Sequence, residues 1–95
     1  RYDPSTSQLR RDGREISLTT IEGHIVRCLM QSAGRVVTHS RLAESVWGDD
    51  YPGAIHSLRV NIQRLRAKVE ADPSNPKLIL TKPGIGYYIA KPSYG

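Results

Sequence analysis

Apolar residues recur at helical spacing in three stretches of the chain, and each stretch is bracketed by residues that start or stop a helix. In the first, Ile21, Ile25, Cys28 or Leu29, and Ala33 share one side. Thr19 followed three residues later by Glu22 forms a capping box, in which the threonine oxygen accepts a first-turn amide and the glutamate reaches back to the threonine amide. With Gly34 as the stop, this predicts a helix over 20–33. The second stripe is Leu42, Val46 and Trp47, between Thr38 as N-cap and Gly48 as terminator, and predicts a short helix over 39–47. The third is the longest: Leu58, Ile62, Leu65 and Val69 step by four, three and four residues, predicting a helix over about 54–71 that breaks at Asp72-Pro73-Ser74-Asn75-Pro76.

Between and around the helices the pattern shortens to strands. Residues 8–18 alternate loosely about Asp12-Gly13, with Leu9 on one arm and Ile16 and Leu18 on the other, which predicts a small hairpin. Residues 78–82 and 87–90 flank Pro83-Gly84-Ile85-Gly86, a run suited to a tight turn, and predict a second hairpin at the C-terminal end. The loop Asp49-Asp50-Tyr51-Pro52-Gly53 is expected to be exposed and to present Tyr51. Residues 1–7, rich in Ser, Thr and Pro, suit either a linker or an edge strand. The class is α+β: short strands, three helices, hairpin.

Ninety-five residues make one domain, 1–95, with a single core. Because it starts at Arg1 rather than a methionine, we expect a fragment of a longer protein. Lys and Arg number 14 against 9 Asp and Glu, a net charge of +5, which favours polyanionic partners such as nucleic acid or an anionic membrane. No apolar run of about 18 residues spans a bilayer and no signal peptide opens the chain, so a soluble, cytoplasmic setting is expected. The lone Cys28 suits a core site among Ile25, Leu29 and Met30. His24, His39 and His56 sit on three separate segments without metal-ligand spacing, so no metal is expected. Gly84 and Gly86 end a hairpin turn with no helix after it, unlike a phosphate-cradling loop; we expect no catalytic residues, no cofactor and no enzyme.

The charge concentrates on the third helix. Turning each residue by about 100° with the apolar stripe at the back puts His56, Val60, Gln63, Arg64 and Ala67 on the front. Arg59 and Arg66 fall on one flank, and Ser57, Asn61 and Lys68 on the other. A front of modest bulk carrying flexible hydrogen bonders, with cations along both sides, suits the DNA major groove, where a guanidinium pairs two acceptors of guanine and flanking charges meet phosphates. The same residues also fit an ordinary solvated helix in which Arg66 pairs with Glu70 four residues on. The arrangement separates the two: a short helix, a loop, a longer basic helix and a hairpin with Lys82 at its tip describe a winged helix-turn-helix.

Five segments carry a family resemblance. They are Leu18-Thr19-Thr20-Ile21-Glu22, Ala33-Gly34-Arg35-Val36-Val37-Thr38, Val46-Trp47-Gly48, Val60-Asn61-Ile62-Gln63-Arg64-Leu65-Arg66-Ala67-Lys68 and Gly84-Ile85-Gly86-Tyr87. Each alone is weak; together, in order and near the right spacing, they are specific. Over nearly its whole length the chain resembles the winged-helix effector domains of OmpR/PhoB-type response regulators. The resemblance implies a transcription factor with an N-terminal antiparallel sheet, a three-helix core and a wing, its third helix in the major groove of double-stranded DNA and its wing against the adjacent minor groove. It implies head-to-tail binding to direct repeats and an upstream receiver domain whose phosphorylation controls the output. By resemblance, Arg64 contacts a base, Asn61 and Arg66 lie near phosphates or groove walls, Thr81 contacts a phosphate, and Trp47 lies near the DNA backbone and core edge. With these go His56, Ser57, Arg59, Val60, Gln63, Lys68 and Lys82 as the expected DNA-binding set. Asp49, Asp50 and Tyr51 resemble a segment that touches RNA polymerase in some members, and equally a plain connector.

Two departures qualify the resemblance. Pro83 stands where many members have a wing-tip arginine that enters the minor groove, leaving Lys82 as the tip's only cation. His56 stands at an often basic position and Arg59 at a commonly acidic one, so the operator sequence is not transferable from relatives. A winged helix whose third helix binds an acidic protein is the alternative function.

Overall fold

A three-stranded antiparallel sheet stands at the start of the domain. The computed structural model describes residues 2–3, 8–11 and 13–90. Strands β2 (Gln8–Arg11) and β3 (Arg14–Ser17) pair antiparallel, and β1 (Tyr2–Asp3) adds to β2 as an edge strand. The edge-strand alternative for the start therefore applies to Tyr2–Asp3; residues 1 and 4–7, and Asp12 of the turn, lie outside the described residues. Leu9 and Ile16 are cross-strand partners and pack together on the core, while Arg10 and Glu15 pair at 2.9 Å in solvent.

Helix α1 (Thr20–Gln31) starts with the predicted capping box: Thr19 Oγ1 accepts from the Glu22 amide at 3.1 Å, and the Thr19 amide donates to Glu22 Oε1 at 2.9 Å. It ends two residues before the predicted boundary. The Ser32 and Ala33 amides donate to Leu29 and Met30 carbonyls, and the chain leaves through Ala33 at φ 50 and Gly34 at φ 84. Ala33 is thus exposed and left-handed, not the last rung of the apolar stripe. Cys28 is half-buried on the core, but its polar neighbour is the Ser45 hydroxyl at 3.3 Å, and Met30 points outward, 42% exposed. Thr19→Ala removes the cap acceptor and should cost about 1 kcal/mol. Thermal denaturation with an unchanged midpoint would contradict this.

Helix α2 (His39–Trp47) matches its predicted bounds because both ends are signalled: Thr38 Oγ1 accepts from the Arg41 amide at 3.2 Å, and the Gly48 amide donates to Glu44 at 2.7 Å. Helix α3 (Ala54–Val69) stops before 71, because Glu70 turns to extended backbone and buries its side chain. Its carboxylate accepts the amides of Lys77, Leu78 and Ile79 at 2.8–3.1 Å, which folds the segment after α3 back against the helix end. Within that segment Asp72 accepts from the Ser74 hydroxyl at 2.6 Å and amide at 3.1 Å, bonds that hold its carboxyl below the ordinary value.

The second hairpin comprises β5 (Ile79–Lys82) and β6 (Gly86–Ile89), with Gly84 at φ 75 in the turn. A strand absent from the sequence reading, β4 (Val37–Thr38), joins it, giving the order β4-β6-β5. The Val37↔Tyr87 and Thr38↔Gly86 pairs bind the start of α2 to the hairpin. Gly86 therefore belongs to a strand, not to the turn. A Cβ there would lie 1.9 Å from the Val37 carbonyl oxygen, so glycine is required by close approach.

The core sits where the three helices meet the β4-β6-β5 sheet. Ile25, Leu29, Leu42, Leu58, Ile62, Leu65 and Ile79 are fully buried, with Val37, Val69 and Tyr87 at its edge. Each such side chain contributes about 1.5–3 kcal/mol of burial. All four residues of the α3 stripe face inward, which fixes the rotation of that helix and so decides which side chains reach solvent.

Candidate nucleic-acid interface

Rotation of α3 by its apolar stripe brings His56, Arg59, Gln63, Arg64 and Ala67 to the surface, with Val60, Ser57 and Asn61 half-buried beside them. The helix carries Arg59, Arg64, Arg66 and Lys68 and no acid. Among the described residues, the side chains of His56, Arg59, Gln63 and Arg64 have no hydrogen-bond or ion-pair partner. Asn61 Nδ2 donates to the Ser57 carbonyl at 2.9 Å, one turn back along the helix.

The flanks behave differently from the front. Lys68, expected in the DNA-binding set, donates to the Ser17 carbonyl at 3.2 Å and to the Glu22 carboxylate at 2.5 Å. Glu22 is only 2% exposed, and a carboxylate so far from water needs a counter-charge, which Lys68 supplies. The same oxygen closes the capping box, so this residue ties β3, α1 and α3 together.

On the opposite flank, Arg66 does not pair with Glu70. Its Nε and Nη2 donate to the Ile79 carbonyl at 3.0 and 2.8 Å, and Nη2 also donates to Thr81 Oγ1 at 2.8 Å. Its guanidinium lies 5.8 Å from the centroid of the Tyr87 ring, whose other neighbour is His39, edge-on at 5.1 Å. Glu70 is occupied by backbone amides, and the two side chains thus serve different parts of the wing. Neither connection was readable from spacing along one helix.

The wing stands beside the helix front. Thr81 and Lys82 are exposed at the end of β5, opposite Tyr87 and Gly86, and the turn Pro83, Gly84 and Ile85 is exposed beyond them. The His39 amide donates to the Ile85 carbonyl at 3.0 Å, pinning the turn to the start of α2. In the loop before α3, Tyr51 is exposed as expected but not free: its ring stacks on Trp47, 5.8 Å between centroids and 14° between planes. Trp47 is half-buried at the core edge. Asp49 and Asp50 are exposed beside the pair.

A helix of this length is about 24 Å long and slim enough for the roughly 12 Å major groove. Its unpaired cations, Arg59 and Arg64, are both exposed. The family model described as transcriptional regulatory protein, C terminal, matches residues 13–89. The chain belongs to this family. Among solved structures it is similar to the DNA-binding domain of Escherichia coli CadC, with 28% identity over 94% of this chain and 83% of that one, and a TM-score of 0.79. It is similar to the Klebsiella pneumoniae RstA DNA-binding domain, solved in complex with the RstA box, at 30% identity over 93% and 87% of the two chains, TM-score 0.81. It is also similar to the response regulator DrrB, an OmpR/PhoB homologue of Thermotoga maritima, at 32% identity and TM-score 0.82. That match covers 93% of this chain but 40% of DrrB. The domain is an OmpR/PhoB-type effector domain with a winged-helix fold, in a family of transcription regulators rather than an enzyme class. Among the described residues no helix is long and apolar enough to cross a membrane.

Proposed function

We propose that this effector domain regulates transcription by binding double-stranded DNA in a sequence-specific way, with α3 in the major groove and the β5–β6 hairpin as wing. The observation that carries the reading is the split among the cations of α3. Arg64 on the front and Arg59 on one flank stand exposed and unpaired on an acid-free helix, while Arg66 and Lys68 make hydrogen bonds to neighbouring elements. An exposed guanidinium flanked by Val60 and Gln63 suits base reading: Arg64 pairs with guanine O6 and N7, and Gln63, His56 and Val60 meet neighbouring base edges. Arg59, Asn61, Ser57, Thr81, Lys82 and Trp47 face phosphates. With Pro83 at the tip, the wing acts on the backbone through Thr81 and Lys82 rather than inside the minor groove.

The domain is the output half of a longer cytoplasmic regulator with a receiver domain upstream, and two copies bind direct repeats head to tail. Asp49, Asp50 and the Trp47-stacked Tyr51 form the surface offered to RNA polymerase.

Duplexes selected from a random pool, titrated at several salt concentrations, test the central claim. If about five phosphates are neutralised, binding should weaken about 500-fold between 50 and 200 mM salt. Weak binding that is equal for every duplex and insensitive to salt sinks the reading. Arg64→Ala should lose about 1–3 kcal/mol on the selected sequence and blur one base pair. Equal losses on selected and random DNA would remove Arg64 from base reading.

A further inference from the structure

We infer that Arg66 is a positioning residue, which holds the Thr81 hydroxyl with its hydrogen directed outward to a backbone phosphate. The inference rests on the DNA-binding reading above.

The guanidinium of Arg66 is fixed by three of its five N–H groups. Nε–H and one Nη2–H converge on the Ile79 carbonyl, and the other Nη2–H is directed to Thr81 Oγ1. Ile79 is buried in the core at the start of β5, so its carbonyl is a fixed anchor, and the Tyr87 ring packs beside the guanidinium plane. The links join residues 13 and 15 positions apart, across the seam between α3 and the wing.

The consequence for Thr81 follows from hydroxyl chemistry. A hydroxyl has one hydrogen and two lone pairs. Where a cationic N–H occupies a lone pair, the hydroxyl hydrogen cannot point at that donor and must be directed elsewhere. Thr81 is exposed, and among the described residues no acceptor takes that hydrogen. The positive partner also polarises the O–H bond, which strengthens its donation to an anion. Thr81 is thereby prepared as a phosphate donor before any DNA arrives. Lysine cannot replace this arrangement, since one ammonium does not span the two acceptors in a plane as a guanidinium fork does.

The two Nη1 hydrogens of Arg66 take no partner among the described residues, so a direct contact from Arg66 to a phosphate is the competing account. The experiment compares wild type, Arg66→Lys, Thr81→Val, Thr81→Ser and the Arg66→Lys/Thr81→Val double variant on one selected duplex, with melting temperatures recorded alongside. We expect Arg66→Lys and Thr81→Val each to weaken binding about tenfold, the size of a hydrogen bond to a charged group. The double variant should bind no more weakly than Thr81→Val alone, and Thr81→Ser should match wild type. Duplexes carrying single methylphosphonates should then show one position at which neutralisation weakens wild type but neither single variant. Arg66→Lys binding as wild type, losses that multiply in the double variant, or Thr81→Val with full affinity would each overturn the inference. A wild type without salt-dependent duplex binding overturns instead the DNA-binding reading beneath it.

Discussion

Gly86→Ala is expected to lower the unfolding midpoint by more than about 10 °C and to abolish duplex binding. The added Cβ would sit 1.9 Å from the Val37 carbonyl oxygen, 2.7 Å from its carbon and 2.8 Å from Thr38 Cα. All three are backbone atoms, so no side-chain rotation relieves the clash; β4 must move away from β6. That motion breaks the Val37↔Tyr87 and Thr38↔Gly86 pairs, loosens the His39 amide from the Ile85 carbonyl, and opens the core beside Val37 and Tyr87, both nearly buried. Overpacking of this kind costs up to about 3 kcal/mol, and a domain of this size loses about 4–8 °C per kcal/mol. Gly84→Ala is the control. Its φ of 75 strains an alanine, but no atom lies within 4 Å of the new Cβ, so the cost is limited to about 1–2 kcal/mol. Circular dichroism melts in which Gly86→Ala is no worse than Gly84→Ala would show that the close approach is not decisive.

The strand that makes Gly86 indispensable left no mark in the sequence. Val37 and Thr38 are two residues, too few for a period, and their partners lie about fifty positions away. Gly86 consequently looked like a turn residue. Helix ends were legible in proportion to their signals. Thr38 and Gly48 fix both bounds of α2, whereas α1 and α3 were read too long where an apolar Ala33 or a helix-compatible Glu70 continued the pattern. At the first, Ala33 leaves the helix in left-handed backbone with its amide on the Met30 carbonyl, and at the second a tertiary hydrogen-bond set turns Glu70 out of the helix.

The front of α3 was legible because a helix's own apolar stripe determines what lies opposite it, and His56, Gln63 and Arg64 emerge where that geometry puts them. Its flanks were not legible. A single-helix projection treats both sides as solvent, but β5 comes in over Arg66, and Glu22 of α1 comes in over Lys68. Side chains that look equivalent along the helix thus divide into those left for a partner and those consumed by neighbouring elements.

Glu70 is the second position where a single change should have a large effect, and the effect should travel to the wing. Its carboxylate gathers three successive amides, Lys77, Leu78 and Ile79, while the side chain itself is nearly buried. Glu70→Ala leaves those donors in a partly buried groove without acceptors. Each unsatisfied donor carries a desolvation cost of about 1–3 kcal/mol, partly relieved by entering water, so a net loss near 3 kcal/mol is expected. Glu70→Gln keeps the shape but offers one acceptor oxygen, and its NH2 faces donors; about half to two thirds of the loss should remain. Native-state hydrogen exchange should show the Leu78 and Ile79 amides losing protection before those of Ile25 or Leu29. Because Ile79 also carries the carbonyl that anchors Arg66, duplex affinity should fall even at temperatures where the variant is fully folded. An unchanged melt with unchanged exchange at residues 77–79 would mean that the carboxylate does not hold the wing's first strand.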